Sequence, residues 1–366
     1  MKDPILLNKL WKEVEAGRVT ASQSGSLTIF KYTQDTHIQD LWNDVNRQAR
    51  GIIFDADGTV VARPFSKFFN LHERPETSPQ NLPWSEGVEI YEKLDGSCGT
   101  GYYHNEEWKL ATPGSMTSDQ ALEGTRILHE KIRFKAPMGM DFRPKYYLKH
   151  LPANCTPVFE IIYPENRIVV DYHGKRELVL LAVFEKNGVE WHPRRVDQIA
   201  ELCGFRRPQR YDIDLRGDIP FEDNSEGYVA RFGDGTRVKV KSPTYLRIHR
   251  LLDHLSPKGV VELIRGSEYG ATVKQLPQAI ACSFDDVRAH VQGMYNEIYT
   301  RAHDNLRKLK EEHHVLTRRK ELALWIQANV PNAESGFVFA LLDGKDIEDK
   351  VWKLVLEKIK DDSISS

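Results

Sequence analysis

Two short stretches of this sequence carry side chains suited to covalent chemistry on phosphorus. In 52-IIFDADGTVV-61 an apolar run leads into Asp-x-Asp-Gly-Thr, where Asp55 has the chemistry to attack a phosphoryl group while Asp57 shuttles the proton. In 91-YEKLDGS-97 a strand-like run ends in Lys-x-Asp-Gly, so the ammonium of Lys93 stands just ahead of a sharp turn. Lysine is a weak nucleophile at its free pKa near 10.4, but desolvation and neighbouring cations lower that value and let it attack phosphorus.

The residues that would serve such a lysine follow downstream. Glu160 is a charge inside the apolar run 158-VFEIIYP-164. If buried, it calls for a ligand or metal as partner; if on an edge strand, it faces water. Glu226 opens 226-EGYVAR-231, and a Gly-Asp-Gly-Thr turn returns the chain into 237-RVKVKS-242. Side chains alternate along a strand, so Arg237, Lys239 and Lys241 share one face, where three cations repel unless an anion sits among them. Upstream, Arg50 and the Lys67 of 64-PFSKFFN-70 bracket the Asp55 stretch and are placed to flank one anionic site.

The elements that must hold these residues are mostly strands. Alternating runs broken by Asp-Gly and Asn-Gly dominate residues 26 to 250, among them SLTIFKY, RGIIFDADGTVVAR, PVFEIIY, RIVVDY, LVLLAVFEKNGVEW and EGYVARFGDGTRVKVK. They predict an antiparallel-rich domain with hairpins. Helical spacing interrupts them at about 117–133, 194–203 and 243–254. The Asp55 chemistry needs a parallel sheet alternating with helices, as in phosphatases of the haloacid dehalogenase type. Both flanks of 55-DADGT-59 read as strand, so a hairpin is the simpler reading.

After about residue 256, apolar residues fall three and four apart in FDDVRAHVQGMYNEIYTRAHDNLRKLKEEHHVL and KDIEDKVWKLVLEKIK, which predicts helices. The boundaries follow as 1–254 and 255–366, with 255-LSPKG-259 as linker. The fold class is α+β, an antiparallel-sheet domain followed by an all-α domain.

Taken in order, Lys-x-Asp-Gly, the apolar strand with Glu, Glu-Gly-Tyr-Val and Lys-x-Lys resemble the motifs of ATP-dependent polynucleotide ligases and capping enzymes. RGIIF and PFSKFFN narrow the resemblance to the RNA ligase 1 family, phage-type enzymes that seal broken RNA, over about residues 48 to 245. It implies an ATP-grasp-like nucleotidyltransferase domain that joins 5′-phosphate and 3′-hydroxyl RNA ends in RNA repair. In that light Lys93 takes AMP from ATP as a lysyl-adenylate, and Asp95 and Gly96 complete its turn. Glu160 contacts the ribose or a metal, and Glu226 holds the metal, magnesium or manganese. Lys239 and Lys241 neutralise the α-phosphate, and Arg50 and Lys67 take the outer phosphates. Phe184 packs on adenine, and Glu92 and Val229 join the nucleotide-binding residues. One departure stands out: the family often carries a basic residue before the Gly-Ser of the following strand, whereas 111-ATPGS-115 has Pro113, so that contact is absent or comes from another residue such as Lys109.

The whole chain agrees with such a role without naming it. A length of 366 residues favours two domains. A net charge of -2 means that any nucleic-acid contact relies on local clusters, such as 307-RKLK-310 and 318-RRK-320 in the helical region. No aromatic platform for bases is evident there. Four scattered cysteines and no signal-like or spanning segment predict a cytoplasmic protein, as for a phage-encoded enzyme working in its host, with no membrane partner. The expected partner is RNA, including nicked tRNA, bound by a monomer. The competing readings are a DNA ligase or mRNA guanylyltransferase, which would bring a small β-barrel domain, and a non-catalytic RNA-binding repair protein.

Overall fold

The computed structural model describes every residue except 137–138, 253–255, 275, 277, 313–318 and 365–366. The chain divides into two compact units, Met1–Leu246 and Arg247–Ser366.

The first unit is built on sheets. Helix α1 (Pro4–Glu15) is capped by Asp3, whose side chain accepts the Leu6 N–H, and carries Pro at its first position. It covers a sheet of β1 (Val19–Ser24), β2 (Leu27–Tyr32), β3 (Arg50–Asp55) and β4 (Val60–Ala62), with a short α2 (Gln34–Ile38) between. The Asp-Gly hairpin is confirmed: β3 and β4 are antiparallel, and one oxygen of the Asp55 carboxylate, Oδ1, accepts the N–H groups of both Asp57 and Thr59. The strand that carries Asp55 thus lies in an antiparallel sheet, not in the parallel sheet alternating with helices that the phosphatase chemistry needs.

The next strands are β5 (Phe69–Asn70), β6 (Val88–Glu92), β7 (Ser97–His104) and β8 (Glu107–Ala111). They are followed by α3 (Asp119–Leu128), the hairpin β9 (Lys131–Ala136) and β10 (Gly139–Pro144), β11 (Cys155–Ile162) and β12 (Glu177–Glu185). After α4 (Pro193–Cys203) come β13 (Arg210–Tyr211), β14 (Gly227–Phe232), β15 (Arg237–Lys241) and α5 (Pro243–Leu252). Two sheets flank the candidate site. One runs β12-β11-β7-β8 and the other β13-β6-β14-β15-β5. Every residue of β11 is buried, so Glu160 lies on an inner strand and the water-facing alternative falls away. On β15 the burial alternates: Val238 and Val240 enter a core with Ile90, Tyr228, Ala230 and Phe232, leaving Arg237, Lys239 and Lys241 on the other face as expected.

One local expectation was wrong. RIVVDY forms no strand, because the N–H groups of Val169 and Val170 go to the Asp95 carboxylate instead of a neighbouring strand. At 255-LSPKG-259, where Leu255 lies outside the described residues, one helix has ended at Leu252 and the next starts at Pro257, and Ser256 caps it by accepting the Gly259 N–H, so the Pro and Gly lie in the first turn after the break.

The second unit is helical: α6 (Pro257–Arg265), α7 (Tyr269–Val273), α8 (Gln278–Glu312), α9 (Arg319–Asn329), α10 (Asn332–Leu342) and α11 (Glu348–Ile364). It has its own core around Leu309, Leu322, Ile326, Val330 and Val338. Arg301 of α8 holds the buried Glu334 of α10 at 2.7 and 2.8 Å. Tyr295, Tyr299 and His303 follow one another four residues apart on α8, and Trp352 of α11 stacks on Tyr295 at 4.3 Å. The cluster 307-RKLK-310 lies on α8; in 318-RRK-320, Arg318 is outside the described residues.

Candidate active site

The turn that presents Lys93 is fixed from three sides. The Lys93 N–H bonds the Gly227 carbonyl at 2.9 Å, tying the end of β6 to the start of β14. Asp95 is buried; one carboxylate oxygen accepts both Val169 and Val170 N–H groups, and the other accepts the Tyr245 hydroxyl at 2.8 Å. The Asp95 N–H in turn reaches the Tyr172 hydroxyl at 2.7 Å. Gly96 is pressed onto β11 so closely that a Cβ there would sit 2.6 Å from the Ile161 carbonyl oxygen, and its N–H donates to Glu160 Oε1 at 3.1 Å. Asp95 and Gly96 therefore hold the lysine in place.

The Lys93 ammonium meets Glu226 Oε2 at 2.6 Å, and Lys241 Nζ meets Glu226 Oε1 at 3.0 Å. A single buried carboxylate thus bridges the two lysines. Arg237 is also neutralised, by Glu190. Lys239 differs: among the described residues no carboxylate lies within ion-pair distance of it. Its ammonium sits 5.1 Å from the Phe68 ring centre, and the Arg50 guanidinium approaches the same ring at 5.3 Å. Burial, then the charges of Arg50, Lys67 and Lys93, lower the Lys239 pKa to about 7. Lys67 is held among Tyr32, Trp42 and Phe69, each ring centre 5.2 to 5.4 Å away, and burial lowers its pKa too.

Glu160 faces this cluster from the other sheet. Burial pushes its pKa up to about 8, the charges of Glu226 and Asp95 push the same way, and Lys93 and the Gly96 N–H oppose them. A cation cluster short of counter-charge, opposite a carboxylate short of cations, is a place for a polyanion accompanied by a metal ion.

Beside it lies an apolar slot between the two sheets, whose walls include Phe65, Phe68, Leu181, Pro208, Glu92 and Val229. Glu92 is held by Arg206 at 3.3 Å. Phe184 is not on these walls; it is buried edge-on against Phe65, 5.1 Å between ring centres, and Leu181 of the same strand faces the slot instead. Lys109 pairs with Glu107 at 3.1 Å, both side chains about half exposed. Tyr172 and Tyr245, which orient the turn, gave no sequence signal, because each is a lone tyrosine far from Asp95 along the chain.

A lysine on a braced turn, bridged to a second lysine through a buried glutamate and facing an unneutralised cation cluster between two sheets, defines a nucleotidyltransferase of the ligase type. The chain belongs to the phage-type RNA ligase family, whose model, described as RNA ligase, matches residues 48–245. A Rhodothermus phage RM378 protein named RNA ligase is 24% identical over 93% of this chain and 91% of its own length. A Thermovibrio ammonificans protein provisionally named an RNA ligase is 29% identical over 69% of this chain and 66% of its own. RNA ligase 1 of bacteriophage TS2126 is 28% identical over 58% and 54%. Among solved structures, the Naegleria gruberi RNA ligase with PPi aligns at 16% identity and a TM-score of 0.34, over 44% of this chain and 51% of that one. At that score the likeness adds nothing to the fold described above. Among the described residues no helix is long and apolar enough to cross a membrane.

Proposed function

We propose that this chain is an ATP-dependent RNA ligase that works through a lysyl-adenylate on Lys93. The observation that carries the reading is the Lys93–Glu226–Lys241 bridge beside an unneutralised Lys239. Lys93 Nζ attacks the α-phosphorus of ATP. The N–P bond forms as the bond to the bridging oxygen breaks, and pyrophosphate leaves. The ammonium must shed a proton before attack, and Glu226, already hydrogen-bonded to it, is the acceptor at hand. Lys239 and Lys241 cancel charge on the α-phosphate, Arg50 and Lys67 take the outer phosphates, and adenine enters the slot beside Glu92 and Val229. AMP then passes to a 5′-phosphate RNA end, and a 3′-hydroxyl expels it to close the strand.

Glu160 and Glu226 are the residues to hold magnesium or manganese. Their oxygen donors suit a hard cation, and Glu160 is a buried carboxylate that such a charge would ionise. Both oxygens of Glu226 are engaged by lysines, so Glu160 is the freer ligand. The ion would supply positive charge against the triphosphate. Among the described residues no three His, Cys, Asp or Glu side chains gather to hold a metal by themselves, which leaves ligand positions for nucleotide oxygens. We assign RNA recognition, including nicked tRNA in a repair role, to the helical unit of a monomeric enzyme.

The test is to incubate the protein, cleared of bound AMP with pyrophosphate, with α-labelled ATP and magnesium. Acid-resistant protein-bound label that is absent in Lys93→Ala is expected. An unlabelled wild-type protein would overturn the reading.

A further inference from the structure

The turn that lacks a basic side chain has one delivered to it from another strand. Within 111-ATPGS-115, Thr112 and Ser115 bond each other across the turn. Pro113 packs on Gly51, where a Cβ would lie 3.1 Å from the Pro113 Cα. Gly51 has a φ of +97 and is the extra residue of a bulge: Phe30 is paired with Ile52, but Lys31 with Arg50. The bulge therefore sets Lys31 and Arg50 directly opposite each other. At Gly114, the next residue of the turn, a Cβ would meet Lys31 Cδ at 2.8 Å and Nζ at 3.4 Å, so the Lys31 side chain lies across the turn and ends there.

Lys31 is exposed and makes no ion pair among the described residues. Its cross-strand partner Arg50 belongs to the cation cluster, since its charge acts on Lys239. Like charges directly opposite on a ladder are unfavourable unless an anion lies between them. Lys109, the other basic side chain near this turn in sequence, is occupied by Glu107.

We propose that Lys31, with Arg50, binds the β- and γ-phosphates of ATP and supplies the charge that Pro113 cannot. The inference rests on the adenylation reading and adds a residue to it from outside the family-matched region.

The full-length protein tests it with Lys31→Ala, Lys31→Arg and Lys109→Ala, each checked by thermal melting. Lys31→Ala is expected to raise the ATP concentration for half-maximal lysyl-AMP formation about tenfold at unchanged melting temperature. Lys31→Arg should restore most of the loss, and Lys109→Ala should match wild type. Sealing of a preformed 5′-adenylated RNA, which has no β- or γ-phosphate, should keep its rate in Lys31→Ala. Wild-type ATP dependence in Lys31→Ala overturns the proposal, as does an equal loss in both assays, which would mean a structural or RNA-binding role. No adenylate from wild-type protein overturns the underlying reading, and this one with it.

Discussion

At Glu160 the main conflict is between burial and charge. Its pKa of about 8 in the fold, against an ordinary value of 4.5, means that between these values the folded protein holds a proton that the unfolded chain has released. Stability from this group is therefore complete below about pH 4.5, falls as pH rises, and is lost above about pH 8. Glutamine keeps the shape and carries no charge at any pH. Glu160→Gln should thus gain melting temperature relative to wild type as pH is raised from 5 to 9 in the absence of nucleotide. The slope is at most about 1.4 kcal/mol per pH unit between the two values, so the whole gain is at most about 5 kcal/mol, or on the order of ten degrees. A constant difference across that range would show that Glu160 is ionised throughout. Lys239 is the mirror case. As a buried base whose pKa falls to about 7, it costs most below that value, and an incoming phosphate favours its charged form.

The hairpin of β14 and β15 matters more than its length suggests, since it carries Val229, Lys239 and Lys241 and starts directly after Glu226. Gly227 makes the entry to it. Its φ is +129, and a Cβ would sit 2.0 Å from the Val240 carbonyl oxygen. Gly235, in the turn at the other end, also has a positive φ, of +91, but faces open space. Gly227→Ala should cost about 3 kcal/mol or more and abolish adenylation, while Gly235→Ala should cost about 1 kcal/mol, from backbone strain alone. Equal losses in denaturant melts would count against the close approach at Gly227. The hairpin was legible in the sequence because period-two alternation and a Gly-Asp-Gly turn are local signals, and so were α4 and α5. Helix α1 drew no prediction, and the hairpin of β9 and β10 lay largely beyond the helical run read at 117–133. The site was legible where charge broke an apolar pattern, as at Lys93, Glu160 and Lys239. Its bracing was not: Tyr172 and Tyr245 reach Asp95 across 77 and 150 residues of chain. Phe184 and Leu181 show the same limit on one strand, since sequence marks the aromatic ring and only the partner sheet decides which residue faces the slot.

Across the whole molecule, adenylation and strand joining make different demands, and the two compact units allow them to be separated. Every residue proposed to touch ATP lies within Met1–Leu246, and that unit has cores of its own around Phe30, Ile52 and Phe54, around Phe159, Ile161 and Leu178, and around Tyr228, Phe232 and Val238. The helical unit has a separate core and contributes no residue to the proposed ATP site. Helix α5 must stay whole in any truncation, because Tyr245 within it holds the Asp95 carboxylate. A chain of residues 1–252 should therefore form lysyl-AMP at near the wild-type rate and seal RNA poorly. The deficit should lie in the RNA concentration needed, and should be steeper for a folded, nicked tRNA than for a short single strand. If the truncated chain melts cooperatively yet takes up no label from ATP, the helical unit is part of the nucleotide site. If it seals both RNAs as well as the full chain, recognition belongs to the sheet-built unit, and the stacked row of Trp352, Tyr295, Tyr299 and His303 is a packing feature of the helices.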